Sequence, residues 1–381
     1  MTTKHKKKWL VAGAAAAMLA TAGWVLADDA AAPAADSAAP AADAPAADTA
    51  NAEAAPADGD GAAAAPEAPV VPAKPRPSEI MPLSQRSPML SIVSTGKHLV
   101  AVGDRGQILV SNNGRNWAQV KTPVRAPLTA VAFADENNGW AVGHDATILH
   151  TADGGKTWEL QNFNAELEKP YLSVLFLDAN TGFAIGAYGL ASKTTDAGKT
   201  WTDLVAPAVR ADETHLNDII KLGNGNLLVA GEQGMLGLSA DQGATWTKIA
   251  SPYEASLFGA LPVGEKGALV YGLRGNAYIN IDVHSKNWIK IDTKTVDTFF
   301  GGTTTADGKL ILVGLSGTIM VIDPTTNATR IVKIRKDEVT PGGRHITDVV
   351  TSTLSAVIPF KEGVLVAGDE GIQTLASLQA Q

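Results

Sequence analysis

Gly139-Trp140-Ala141-Val142-Gly143-His144-Asp145-Ala146-Thr147-Ile148-Leu149-His150-Thr151-Ala152-Asp153-Gly154-Gly155-Lys156-Thr157-Trp158 holds two short apolar runs, two turns and a closing tryptophan. The runs are too short for helices and read as half-buried strands bounded by turn residues. The first run recurs along the chain: Val100-Ala101-Val102-Gly103, Phe183-Ala184-Ile185-Gly186, Leu228-Val229-Ala230-Gly231, Leu269-Val270-Tyr271-Gly272, Ile311-Leu312-Val313-Gly314 and Leu365-Val366-Ala367-Gly368. The closing glycines stand 40, 43, 45, 41, 42 and 54 residues apart, which makes seven units. A repeat of this period dictates the architecture before any local reading does. In the second unit the strands are expected at 128–134, 139–143, 146–150 and 157–160, the first innermost. A four-stranded sheet of this size cannot bury both faces alone, and packing seven of them around an axis solves that. The expected fold is therefore all-β, a seven-bladed β-propeller. Its seventh unit runs out at Leu378 after three strands, so residues 79–86 are expected to supply the missing outer strand and close the ring.

The second half of the quoted stretch is itself a motif, S/T-x-D-x-G-x-T-W. It returns with Asp153, Gly155 and Trp158, with Asp196, Gly198 and Trp201, and with Asp241, Gly243 and Trp246. A copy one residue shorter, with Asn113 in the Asp place, ends at Trp117, and the fifth unit keeps only Trp288. This is the Asp-box of sialidase-like propellers. The aspartate caps backbone N–H groups, the glycine takes a positive φ and the indole packs beneath the turn. Each aspartate is thereby occupied by its own turn, which assigns the boxes to the fold and not to catalysis or calcium binding.

Outward from the repeats the chain changes character. Lys4, Lys6, Lys7 and Lys8 precede an apolar run from Trp9 to Leu26, with Ala27 before Asp28-Asp29. That is the layout of a secretory signal peptide, residues 1–27, though the run also just reaches membrane-spanning length. Residues 28–77 are rich in Ala and Pro, with nine acids and no base through Ala73, and read as a disordered acidic tether. Residues 78–381 form the propeller. The chain carries −8 overall, whereas residues 74–381 carry only −3. A near-neutral fold without a basic excess argues against nucleic acid as partner. The absence of cysteine excludes disulfides, thiolate metal sites and a cysteine nucleophile.

No hydrolase constellation emerges. The five tyrosines, Tyr171, Tyr188, Tyr253, Tyr271 and Tyr278, have no Glu or Asp partner by spacing, and no nucleophile elbow, zinc helix or phosphate loop occurs. His144, Asp145 and His150 lack a third ligand at useful spacing, so no metal and no cofactor are expected. Recognition is the better reading. In a propeller the turns between second and third strands and the joints between blades share one face. The seven turns keep their backbone frame while their middle residues vary, among them Arg105, His144, Asp145, Tyr188 and Arg274. With Arg125, Arg210, Arg335 and Arg344 on the joints, six of the ten arginines fall on that face. Guanidinium groups suit a peptide segment, a chain terminus or another anionic group, unless nearby acids neutralise them. The longest joint, about 331–354, carries Lys333, Arg335, Lys336, Arg344 and His345, and a joint of that size is more often functional than accidental.

The stretches beginning at Val100 and at Gly139 resemble the photosystem II stability and assembly factor family, most strongly in the first four units. That resemblance implies a seven-bladed, non-enzymatic propeller that binds a membrane-protein subunit during assembly, with an arginine-bearing patch to be sought first at Arg105 and Arg274. Similar proteins of non-photosynthetic Gram-negative bacteria are expected beside envelope transporters of the resistance–nodulation–division type. The expectation is a periplasmic, membrane-associated monomer whose partner is a membrane protein or envelope transporter complex. The alternatives are a carbohydrate-binding or glycosidase-like propeller and a structural hub using blade edges.

Overall fold

Each repeat forms an antiparallel sheet whose strands lie side by side in chain order. In the second blade these are Leu128–Phe133, Gly139–Gly143, Ile148–Thr151 and Glu159–Asn162, within two residues of expectation at every end. The computed structural model describes residues 73–339, 345–375 and 378. The signal segment 1–27, the tether up to residue 72 and Arg344 lie outside the described residues. Six blades have four strands and the seventh has three. The innermost strands, Met89–Ser94, Leu128–Phe133, Tyr171–Phe176, Leu216–Lys221, Leu257–Val263, Phe299–Thr304 and Leu354–Phe360, neighbour one another in a closed ring. The protein is thus an all-β, seven-bladed β-propeller.

It has no single core. Seven apolar clusters lie between adjacent blades, each drawn from two of them, because both faces of every sheet are apolar. The seam between blades 7 and 1, for example, joins Ala356, Ile358, Leu365 and Ala367 to Met89, Ile92, Leu99 and Leu109.

The structure corrects the expected closure. Residues 79–86 form no strand; Pro82 withholds a donor there, and Ser84–Arg86 is a single 3-10 turn. Residues 78–81 run along blade 1, while Ser84–Arg86 lies against the third strand of blade 7, where a Cβ on Gly371 would meet Gln85 O at 1.9 Å. Ser78 N donates to Thr122 O at 3.0 Å, Met81 N to Gln119 Oε1 at 2.7 Å, and Gln119 Nε2 to Glu79 O at 2.8 Å. The ring closes by direct packing of blade 7 on blade 1, with Ser355 Oγ donating to Met89 O at 3.2 Å.

The long joint between blades 6 and 7 contains a two-stranded hairpin, Arg335–Val339 paired with His345–Val349, in a register that sets Lys336 opposite Asp348. The hairpin pairs with no other strand among the described residues.

Candidate functional site

The turn between second and third strands is locked to the blade joint in all seven units. Its first residue donates its N–H to the carbonyl of the residue just before the innermost strand: Asp104 to Pro88, His144 to Pro127, Ala187 to Pro170, Glu232 to His215, Leu273 to Ser256, Leu315 to Thr298 and Asp369 to Thr353, all at 2.8–3.2 Å. Turns and joints therefore share one face, hereafter the loop face. In six turns the next residue, Arg105, Asp145, Tyr188, Gln233, Arg274 or Ser316, is left-handed with φ of 51–57°. A side chain strains that conformation, which recurs here at six positions carrying five different residue types.

The floor of this face is apolar and tied. Every innermost strand carries a register shift at its second residue. Such a bulge re-aims a side chain. Thr129 Oγ1 donates to Tyr171 O at 2.7 Å and Asn217 Nδ2 to Leu257 O at 2.9 Å, as Ser355 does to Met89, so these bulges stitch each blade to the next. Leu90, Leu172 and Phe258 fill equivalent places and are buried.

On this frame the expected arginines part company. Arg210 is a clamp: Nη1 and Nη2 meet the Asp203 carboxylate at 2.9 and 2.8 Å, Nε donates to Gly189 O at 2.7 Å, and Nη1 also donates to Leu204 O. Arg125 pairs with Glu79 at 2.6 Å and Arg105 with its neighbour Asp104 at 3.5 Å, both with exposed side chains. Arg274 is exposed, and no ion pair engages it among the described residues. Arg335 lies on the hairpin backbone described above.

His144 and Asp145 are half-buried. Burial pushes the His144 ring below the usual imidazole range, against the pull of Asp145 and Asp104. His150 is elsewhere, against the Trp140 ring at 4.9 Å, and burial lowers it too. Among the described residues no three His, Asp or Glu side chains come together to hold a metal ion.

Tyr188 is 53% exposed, the only exposed aromatic among the described residues. Around it stand residues that spacing did not single out: His215, edge-on at 4.7 Å, and Lys169, whose Nζ lies 5.9 Å above the ring and donates to Tyr188 O at 3.3 Å. Lys290 and Lys294 were also missed; they share a groove with Arg274.

The Asp-boxes point the other way, since consecutive hairpins of an antiparallel sheet emerge at opposite ends. Asp241 accepts from Thr245 N at 2.8 Å, Ala244 N at 3.1 Å, Ser239 Oγ at 2.8 Å and Thr245 Oγ1 at 2.6 Å. Those bonds, led by the Thr245 hydroxyl, hold its carboxyl down to about 2. Asp153 makes the same set and Asp196 all but the second backbone bond, and both are likewise lowered. Trp158 Nε1 donates back to Gly155 O at 3.0 Å.

One acid was not foreseen. Asp218, on the innermost strand of blade 4, is 1% exposed and accepts from Ser173 Oγ at 3.0 Å and Ala260 N at 3.1 Å. Burial pushes its carboxyl up to about 7. Beside it Tyr271 is wholly buried, and its hydroxyl has no partner. Asp218 thereby ties blades 3, 4 and 5 together out of contact with solvent.

Comparison with known proteins places these features in a family. Residues 109–329 match the family described as "Photosynthesis system II assembly factor YCF48", and the chain belongs to that family. A stretch of 85 residues is 33% identical to "Photosystem II stability/assembly factor HCF136, chloroplastic" of Cyanidioschyzon merolae, covering 20% of each protein. The chain's matched stretches span 12–20% of the length of the curated relatives. The solved structure "YCF48 bound to D1 peptide" superposes with a TM-score of 0.59 over 79% of this chain and 98% of its own, at 17% identity. An ancestral GH74 enzyme also superposes, with a TM-score of 0.57 over 79% of this chain and 46% of its own, at 13% identity. The path of the chain alone thus does not choose between binding and catalysis.

Proposed function

We propose, from membership of this family, that the protein is an exported, non-enzymatic binding factor that holds a segment of a membrane protein on its loop face and assists the assembly or working of an envelope complex. The single observation that carries this is the loop face itself: one hydrogen-bonded turn frame, repeated seven times, displaying different side chains. A constant frame with variable tips is the design of a recognition surface. A relative captured with a membrane-protein peptide supports the choice of partner class. The tether 28–77 would space the propeller from the membrane, and a transporter of the resistance–nodulation–division type is the partner envisaged where photosystem II is absent. A sugar-binding face needs several exposed rings, and Tyr188 stands alone among the described residues.

The test is capture from detergent-solubilised envelope membranes with the tagged protein and with an Arg105→Ala/Tyr188→Ala/Arg274→Ala variant of unchanged circular dichroism. A membrane protein retained by the first and lost from the second is expected. Equal retention by both would remove the loop face from the account.

A further inference from the structure

On blade 5 the loop face opens into a groove of about 800 Å3 between the turn residues 274–276 and the joint residues 290–296. Arg274, Lys290 and Lys294 line it against a single carboxylate, Asp292. No ion pair among the described residues engages any of the three cations, whereas Arg105, Arg125 and Arg210 each have a carboxylate within 3.5 Å. Lys290 lies with its Nζ 5.9 Å from the Tyr278 ring centroid. Cations gathered this way repel one another unless an anion enters between them.

The backbone holds the groove in shape. Arg274 and Lys294 are both left-handed, φ 55° and 54°, a strain that neither residue type relieves. Gly275 is pressed on the joint so closely that a Cβ there would lie 2.1 Å from Thr295 O.

We infer that this groove is a carboxylate seat for an acidic, extended peptide segment. A guanidinium fork with two ammonium groups supplies donors for one carboxylate. The remaining lining selects what carries it. Asp292 accepts a peptide N–H beside the bound acid and repels a phosphate dianion, while Val296, 81% exposed, offers apolar contact to a neighbouring aliphatic side chain. A phosphate or lipid headgroup satisfies the cations but leaves Asp292 opposed. The inference deepens the proposed function and rests on it for the partner, though not for the chemistry of the seat.

The test is fluorescence anisotropy with the protein and a rhodamine-labelled, C-terminally amidated Ala-Val-Glu-Val-Ala peptide, beside its Glu-to-Gln counterpart. The Glu peptide is expected to bind saturably and the Gln peptide about tenfold more weakly, the order lost with one charged hydrogen bond. Arg274→Gln and Lys294→Gln are each expected to weaken the Glu peptide about tenfold, and Lys156→Gln, exposed in an Asp-box turn at the opposite end of the blades, to leave it unchanged. Equal binding of both peptides, or wild-type binding by both groove variants, overturns the seat. Inorganic phosphate competing as well as the Glu peptide overturns its assignment to peptides. The two readings fail separately. Membrane capture undiminished in an Arg274→Gln/Lys294→Gln variant sinks the seat and spares the loop face, whereas Glu-peptide binding without any membrane partner does the reverse.

Discussion

Asp218 is the residue at which folding and acidity are most directly coupled. Its carboxyl titrates near 4 in an unfolded chain and near 7 in the folded one. The folded state therefore binds an extra proton between those values. The stability this lends is complete below pH 4, declines as pH rises through 7, and amounts to roughly 4 kcal/mol if the whole shift is expressed. Asp218→Asn is expected to flatten that decline in urea midpoints measured from pH 4 to 8; an equally steep decline in the variant would assign it to other groups. Glycine makes a second case. Gly275 has φ 69° and no room for a methyl group, so Gly275→Ala is expected to cost about 2–4 kcal/mol, by overlap and by left-handed strain. A thermal melt within a degree of wild type would show that turn and joint can separate. Gly275 was legible in the sequence as one of the glycines that flank the repeated turn and fix its backbone, whereas Asp218 was not. Asp218 reads there as an ordinary polar position on an alternating strand, and only the neighbouring blades, some forty residues away on either side, make it a buried acid.

At the scale of strands and blades the sequence was far more legible, because each repeat carries its own punctuation. The glycine that ends the second strand and the Asp-box that ends the third mark two hairpins in every well-kept unit. The failure came at 79–86, which the missing fourth strand of the seventh unit suggested as a strand; Pro82 and the bonds to Gln119 and Thr122 set its start along blade 1, and only the turn Ser84–Arg86 reaches blade 7. The arginines show a similar limit. Spacing put Arg210 on the right face but could not reveal that Asp203, seven residues earlier, would fold back to take its guanidinium. Closure by packing has a measurable consequence. Leu365→Ala in the seam between blades 7 and 1 is expected to cost about 2–5 kcal/mol, as a buried leucine does. Removal of residues 1–83 should cost about 1–2 kcal/mol, since it deletes a few partly exposed hydrogen bonds and the Arg125 pair. Loss of cooperative unfolding in the truncated chain would instead restore the segment as the ring's fastener.

For the molecule as a whole, the number of blades followed from counting, whereas the chemistry of the face did not. The groove on blade 5 is assembled from a turn and a joint about twenty residues apart, and the charges that matter are those left without partners. The proposed export concerns the entire chain, and it predicts a mature protein beginning at Asp28. Mass spectrometry of the periplasmic fraction should find that terminus, with light scattering giving the mass of one copy; a chain retaining Met1 would make the leader an anchor.

The seven seams are not equivalent in one respect. Six are crossed by the polypeptide on its way from one blade to the next, and the seventh, between Leu365 and Leu109, has no covalent bridge among the described residues. Thermal fluctuation therefore has a preferred gate there: the circle can part into an arc at that place alone without stretching any backbone. Amide exchange should be fastest along the facing strands of blades 1 and 7. A partner gripping the tips of both would act as a rivet, slowing that exchange from the outside.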